Sequence, residues 1–137
     1  MTEYFSAQYR VYYEDTDAAG VVYYANYLKY AERARSDYLR HVFQAPSMIA
    51  EKFGLMFVVR QCYIDYLRPA RLDDALDILT RIIAIKSATV EMEQQIMRQE
   101  SKLTEIRVIL ACVDCQKFQP SRIPQALKSK LITGAKS

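Results

Sequence analysis

The stretch that decides the fold is Tyr24-Ala25-Asn26-Tyr27-Leu28-Lys29-Tyr30-Ala31-Glu32-Arg33-Ala34-Arg35-Ser36-Asp37-Tyr38-Leu39-Arg40-His41-Val42-Phe43. Tyr24, Tyr27, Leu28, Ala31, Ala34, Tyr38, Leu39 and Val42 recur at the three- and four-residue spacing of one helical stripe. Asn26, Lys29, Arg33, Asp37 and Arg40 fall on the opposite side. Ala31 and Ala34 sit mid-stripe, where small side chains let the helix axis come close to a sheet. A helix of this length spans roughly 27–30 Å, so it needs a broad surface to lie on.

Downstream the chain supplies that surface. Ala45 to Phe53 reads as a short second helix, with Pro46 near its start and Gly54 as its stop. The period then changes. Leu55–Leu67, Ala75–Lys86, Thr89–Arg98 and Leu103–Val113 are rich in Val, Ile, Tyr and Thr and read as strands. Arg68–Asp74 links the first two, and Lys86-Ser87-Ala88 and Gln99-Glu100-Ser101 read as hairpin turns. Upstream, Tyr9–Asp15 reads as a further strand and Asp15–Gly20 as a turn, and a short tail helix is expected at Gln125–Leu131. Strands this long must twist and coil, and one amphipathic helix fills the concave face. The expected architecture is a single α+β domain over residues 1–137, a long helix wrapped by a five-stranded antiparallel sheet. Its edge strands need protection, and pairing with a second copy is one solution.

The composition agrees with a packed domain. The chain has 137 residues, 51% hydrophobic and 26% charged, with only 3 Gly and 4 Pro, which excludes disordered and collagen-like classes. The net charge of +3 comes from interleaved basic and acidic residues and not from a basic stripe, which argues against nucleic acid. The 3 Cys form no framework spacing and are expected as reduced thiols. Met1 to Arg10 has no apolar core of a signal peptide, and no run is long enough to span a membrane, so a soluble cytoplasmic protein is expected.

The segment richest in chemistry precedes the long helix. Glu14, Asp15 and Asp17 place three carboxylates within four residues. Carboxylates crowded and buried together do not all ionise freely, which would suit one of them as base or nucleophile. The helix start that follows offers unpaired N–H groups and a positive dipole end, a setting for a developing oxyanion. A plainer reading stands beside this one: Asp15 and Asp17 are turn and cap residues satisfying backbone donors. The residues alone leave both open.

Arg10-Val11-Tyr12-Tyr13-Glu14-Asp15-Thr16-Asp17-Ala18-Ala19-Gly20-Val21-Val22-Tyr23 resembles the signature of the hotdog-fold thioesterases of the 4-hydroxybenzoyl-CoA thioesterase superfamily. Among these it is most similar to the Tol-Pal-associated (YbgC-type) acyl-CoA thioesterases. Supporting matches are Glu32-Arg33-Ala34-Arg35, Phe57-Val58-Val59-Arg60, Pro69-Ala70-Arg71-Leu72-Asp73-Asp74 and Cys112-Val113-Asp114. The resemblance implies a hotdog fold and hydrolysis of an acyl-CoA thioester, with a short-chain acyl group, by a homodimer or homotetramer whose sites lie between subunits. No cofactor and no metal are implied. Asp17 matches the family's catalytic carboxylate, which attacks the thioester carbonyl or activates water. Backbone N–H groups near Tyr23 and Tyr24 would polarise the carbonyl, and Gly20 would let the turn approach the thioester. Val21, Val22, Tyr23 and Tyr27 would line the substrate. The alternatives are acyl carrier protein or an aromatic acyl-CoA as substrate, or a non-catalytic acyl-thioester-binding partner.

One departure concerns Tyr24, which stands where many relatives carry His. The single His, His41, lies 17 residues further along the helix, roughly 25 Å away, and cannot replace it within one chain. A tyrosine hydroxyl, with its usual pKa of ~10, is a poor base but a good hydrogen-bond donor. Tyr24 is read as a catalytic-site donor or as a ring packed on the sheet.

The remaining candidates carry weaker signals. Arg35 falls within the apolar stripe, so its guanidinium must snorkel or find a carboxylate, with Glu32 or the Glu14–Asp17 cluster as partners. Asp15, Glu32 and Arg35 are expected to support the site, with Asp15 and Glu14 as the fallback for the reacting carboxylate. Coenzyme A carries phosphates, and Arg68, Arg71, Lys86 and Ser87 are candidates to meet them. Cys112-x-x-Cys115 lacks the further ligands of a zinc site. Seven of the 11 Tyr lie between Tyr9 and Tyr30 and are expected in core and pocket. Lys128, Lys130 and Lys136 read as solvated surface.

Overall fold

In the computed structural model, residues 4–136 are described, apart from the side chains of residues 133–136; the surface position expected for the Lys136 side chain lies outside that range. The chain runs β1 (Phe5–Arg10), a 3-10 turn at Tyr13–Asp15, α1 (Asn26–Val42), α2 (Pro46–Phe53), β2 (Leu55–Tyr66), β3 (Ala75–Ile85), β4 (Thr89–Arg98), β5 (Ser101–Asp114) and α3 (Gln125–Lys136). The strands form one five-stranded antiparallel sheet in the order β1-β3-β4-β5-β2, so β1 and β2 are its edges.

Local chemistry sets the boundaries. Pro46 opens α2, and Gly54 closes it at φ 66, a left-handed conformation that favours glycine, with its N–H bonded to the Ala50 carbonyl at 2.8 Å. Along β3, Leu76, Ile78, Thr80 and Ile82 alternate inward. The tail helix exists and runs further than Gln125–Leu131.

The first strand is a correction. It occupies Phe5–Arg10, not Tyr9–Asp15. Beyond Arg10 the Asp15 carboxylate accepts the Tyr12 N–H at 2.9 Å, and the Asp15 N–H bonds the Tyr12 carbonyl at 3.0 Å. These local bonds curl the chain away from the sheet ladder. The long helix begins at Asn26, so Tyr24 precedes it; Leu28 is largely exposed, and Tyr30, outside the expected stripe, is buried.

The core has two parts. Tyr27, Tyr30, Ala31 and Ala34 pack with Val11, Val22, Leu76, Ile78, Ile96, Leu103 and Ile106. Tyr38, Leu39 and Ile49 pack with Ile82, Met92, Val108, Leu110, Leu127 and Leu131. A polar seam marks the junction. Gln94, between Met92 and Ile96 on β4, is fully buried and donates to the Ala31 carbonyl (2.9 Å) and to Thr80 Oγ1 (3.0 Å). Helix α1 packs over β1 and β3, whereas α2 packs on β2. Val59, Cys62 and Tyr66 on β2 stay exposed beside α1.

Candidate active site at the start of helix α1

Asp17 sits in a tight turn. Its N–H donates to the Val21 carbonyl (2.9 Å), its carbonyl accepts the Gly20 N–H (3.0 Å), and its Oδ1 accepts the Ala19 N–H (2.9 Å). Gly20 has φ 80, and a Cβ there would meet open space, so backbone conformation and not crowding demands glycine. The turn is stitched to the β2–β3 link by the Val22 N–H to the Ala70 carbonyl (2.8 Å) and by a bridge between Val21 and Arg71. The Asp17 carboxylate is exposed. It therefore shapes its own turn with one oxygen and keeps the other open.

Asp15 is a fastener. It is only 8% exposed, and its Oδ2 accepts the Tyr30 hydroxyl at 2.6 Å as well as the Tyr12 N–H. Its carbonyl accepts the Tyr23 N–H (3.0 Å) and the Asn26 side-chain amide (2.8 Å). Burial, together with the hydrogen bond and charge of Asp15, pushes the Tyr30 phenol well above its usual pKa. The acidic loop is thus pinned to the first turn of α1 through Asn26 and Tyr30.

This pinning changes the expected donor set. The Tyr23 N–H is occupied by the Asp15 carbonyl. Helix α1 starts without a side-chain cap, and among the described residues the N–H groups of Tyr24 and Ala25 find no partner. The donors left for an incoming oxygen are one and two residues later than Tyr23.

An aromatic group surrounds this start. The rings of Tyr23 and Tyr24 lie 4.7 Å apart, Tyr24 meets Tyr66 edge-on at 6.3 Å, and Tyr27 meets Tyr66 at 5.4 Å. The Tyr66 hydroxyl donates to the Tyr24 carbonyl at 3.1 Å. Tyr24 itself is 61% exposed, with the edge contact to Tyr66 as its link to the sheet. Tyr27 is buried, and its hydroxyl oxygen accepts the Ala70 N–H at 2.9 Å, making it a strut under the loop more than a substrate contact.

Other expected residues scatter. Arg68 lies at the same end as Asp17, with its guanidinium on the Lys102 carbonyl at 3.1 Å. Lys86 and Ser87 lie past the far end of β3, whose 11 residues separate them from the Asp17 loop by on the order of 30 Å within one chain. They do not join that site in a single chain. His41, at the far end of α1, stacks near Phe5 with ring centroids 5.0 Å apart.

Arg35 is half-buried, as its place in the stripe required, but its partner is not a carboxylate. Its Nη1 donates to Gln94 Oε1 at 3.0 Å, while Glu32 takes the Ser36 hydroxyl at 2.7 Å. Burial lowers the Arg35 pKa from its usual value. Cys112 is buried in the core, and burial pushes its thiol up to about 11. Sequence reading missed Tyr66 and Gln94. Plain alternation along β2 would continue the face of Val59 with Gln61, Tyr63 and Asp65, but a bulge between Val59 and Gln61 resets the phase, so that Cys62, Ile64 and Tyr66 continue it.

A long helix cradled by a coiled antiparallel sheet, with an acidic turn at its uncapped start, defines a hotdog-fold thioesterase. The family described as the thioesterase-like superfamily matches residues 11–131, and the chain belongs to it. Within that superfamily it belongs with the YbgC-type acyl-CoA thioesterases. It is 45% identical over 125 residues to the acyl-CoA thioesterase YbgC of Haemophilus influenzae, covering 91% of this chain and 92% of the relative. It is 43% identical over 120 residues to the acyl-CoA thioester hydrolase YbgC of Escherichia coli O6:H1, covering 86% and 88%. The solved structure of a probable thioesterase from Bartonella henselae superposes with a TM-score of 0.84 at 40% identity, covering 88% of this chain and 99% of that one.

Proposed function

We propose that the protein hydrolyses acyl-CoA thioesters at the turn preceding α1, with Asp17 as the reacting carboxylate. The observation that carries this reading is the pairing of an open carboxylate oxygen on Asp17 with unpartnered N–H groups at Tyr24 and Ala25. The thioester carbonyl oxygen takes the N–H groups, which stabilise negative charge as the carbon becomes tetrahedral. Asp17 either adds to that carbon, or removes a proton from a water that adds. In the first route an acyl–carboxylate anhydride forms and water then cleaves it; in the second no covalent intermediate forms. In both, the carbon–sulfur bond breaks, the thiolate leaves and takes a proton, and one water is consumed.

The exposed phenol of Tyr24 is placed to donate a hydrogen bond to the leaving sulfur or the carbonyl, the service an imidazole would otherwise give. Asp17 lies at the surface of one chain, and the exposed edge of β2 stands close by through Tyr66. A second copy closing over this region completes the site, and its Lys86 or Ser87 equivalents are then the ones that reach the coenzyme phosphates.

The test is thiol release from a panel of acetyl-, butyryl-, octanoyl- and benzoyl-CoA, and from the same acyl groups on acyl carrier protein. Turnover on CoA esters is the expected result. Binding without turnover across the panel overturns catalysis, and turnover confined to the carrier-protein esters overturns CoA as the carrier. Label found in the Asp17 carboxylate after a single turnover in 18O-labelled water identifies the covalent route with water adding at the Asp17 carbonyl carbon, since the water-activation route puts label only in the product acid.

A further inference from the structure

The two free donors at the start of α1 belong to consecutive peptide groups, and the carbonyl of each group is held. The Tyr24 N–H shares its peptide with the Tyr23 carbonyl, which accepts the Asn26 N–H at 2.8 Å. The Ala25 N–H shares its peptide with the Tyr24 carbonyl, which accepts the Tyr66 hydroxyl at 3.1 Å. The first bond is made by the turn itself. The second comes from the end of β2, 42 residues away, and depends on one side-chain oxygen. The Tyr24 carbonyl has no place in the helical ladder, since α1 begins at Asn26 and the Leu28 N–H goes to the Ala25 carbonyl at 3.3 Å. Among the described residues its partner is Tyr66.

Tyr66 is braced from several sides. Its ring meets Tyr27 at 5.4 Å and Tyr24 edge-on at 6.3 Å. Tyr27 is buried, and its hydroxyl oxygen accepts the Ala70 N–H at 2.9 Å. Just past Tyr66 the N–H groups of Leu67 and Arg68 both bond the Leu103 carbonyl, at 2.8 and 3.1 Å, which fastens the end of β2 to β5. The Ala70 carbonyl holds the Val22 N–H, so strand end, link and acidic turn close one ring of contacts. Burial is foremost among the causes that raise the Tyr66 pKa, and the hydroxyl keeps the proton it donates.

A trans peptide is planar, with its N–H pointing opposite to its C=O, and no peptide among the described residues is cis. Holding the Tyr24 carbonyl therefore fixes the direction of the Ala25 N–H. Polarising that carbonyl also makes the same N–H a stronger donor. We infer that Tyr66 is a positioning residue for thioester hydrolysis: its hydroxyl, acting through the Tyr24–Ala25 peptide, aims and strengthens the Ala25 N–H that receives the developing oxyanion. This rests on the thioesterase reading of the Asp17 turn and adds a residue of another element that makes the donors of that turn effective. Tyr66 acts without touching the reacting atoms. One oxyanion donor is worth about 10²–10³ in kcat, and linked hydrogen bonds strengthen one another by roughly 10–30%. The hydroxyl should then account for about two- to eightfold in kcat.

The experiment uses the full chain and the CoA ester of the panel that it turns over fastest. Tyr66→Phe keeps the ring and removes the hydroxyl. Expected are a kcat lower by about two- to eightfold, a KM nearly unchanged, and an unchanged melting temperature. In an Asp17→Asn background, where the ester persists, the infrared carbonyl band of the bound, carbonyl-13C-labelled ester should lie below that of the free ester. Adding Tyr66→Phe should move it back by roughly 10–30% of that shift. Tyr63→Phe, which removes a phenol from the other face of β2, is the control and should alter neither reading. An unchanged kcat and an unmoved band in Tyr66→Phe overturn the inference and leave the thioesterase reading standing. A raised KM at unchanged kcat overturns it also, because that is the result of a ring that only lines the substrate. A lower kcat with an unmoved band overturns it as well, since the hydroxyl then acts elsewhere than on the thioester carbonyl. No thiol release by the unaltered chain from any ester of the panel overturns the thioesterase reading and this one together.

Discussion

Two aspartates separated by one residue divide the labour of the acidic turn. Asp15 is buried and fully engaged, whereas Asp17 is exposed with one oxygen open. Asp17→Asn keeps an oxygen for the Ala19 N–H but removes the charge. It is expected to leave the melting temperature nearly unchanged and to lower kcat by about 10²–10⁴-fold, as loss of a reacting carboxylate does; full thiol release by the variant would remove Asp17 from the mechanism. Asp15→Ala strands the Tyr30 hydroxyl and the Tyr12 N–H in a buried setting. A loss of about 1–3 kcal/mol is expected, read as a lower urea midpoint with an unchanged slope. Equal stability of Asp15→Ala would deny it the fastening role. The sequence displayed the three carboxylates plainly, yet nothing in their spacing says which one is buried. That is decided by Tyr30, fifteen residues after Asp15, whose ring falls outside the apolar stripe expected for α1. Arg35 was legible as a charge within that stripe, but its neutral partner Gln94 lies 59 residues away and no local pattern points to it.

At the scale of elements, phenols join the edge strand β1 and the loop to the rest of the fold. Tyr9 on β1 donates to Asp37 on α1, Tyr4 donates to Glu93 on β4, and Tyr30 on α1 donates to Asp15. Burial comes first among the causes that raise all three phenol pKa values, followed by the hydrogen-bonded carboxylate; Tyr4 is pushed up to about 12. Tyr38, buried within the core, is raised by burial alone to about 12. A pKa raised on folding means that the folded chain holds the proton more tightly. The stabilisation is therefore complete below pH ~10, the unfolded value, and is lost as pH climbs from there through about 12. The urea midpoint should hold steady to about pH 8, ease downward above ~9 as the Cys112 thiol ionises in the unfolded chain, and fall more steeply above ~10, with the four phenols ionising late in an absorbance titration. A midpoint unchanged at pH 11.5 would contradict these linkages. These same contacts explain why β1 was misplaced from sequence. Phe5–Arg10 alternates only between half-buried and exposed, so its apolar signal is faint, and Tyr9 earns its place through Asp37. The four later strands were legible because each is ten or more residues long, contains β-branched residues and is bounded by turns.

For the whole molecule, the question is why a domain able to fold alone leaves so much apolar surface on one side. Tyr24, Leu28, Val59 and Tyr66 are all exposed, and they gather along β2 and the adjoining start of α1. Strand β2 is 12 residues long, lies at the sheet edge, and contains neither Lys nor Pro to deter pairing. Its bulge at Arg60 twists it locally but leaves an unpaired backbone edge on both sides. A second copy laid along this edge would cover the aromatic group around Tyr24. The Asp17 turn, open in one chain, would then be enclosed, and exclusion of water would strengthen the interactions of the carboxylate and the helix-start donors with the thioester. Sedimentation equilibrium is accordingly expected to give twice the 15.9 kDa chain mass or a higher even multiple. Activity per chain should fall on dilution at the concentration where the assembly dissociates. Leu28→Glu and Val59→Glu, which put charge on the exposed band without touching Asp17, should shift that dissociation to higher concentration and lower activity in step with it. A monodisperse single chain whose activity per chain is independent of concentration would show that one copy carries the whole site, and the exposed band along β2 would then need another explanation.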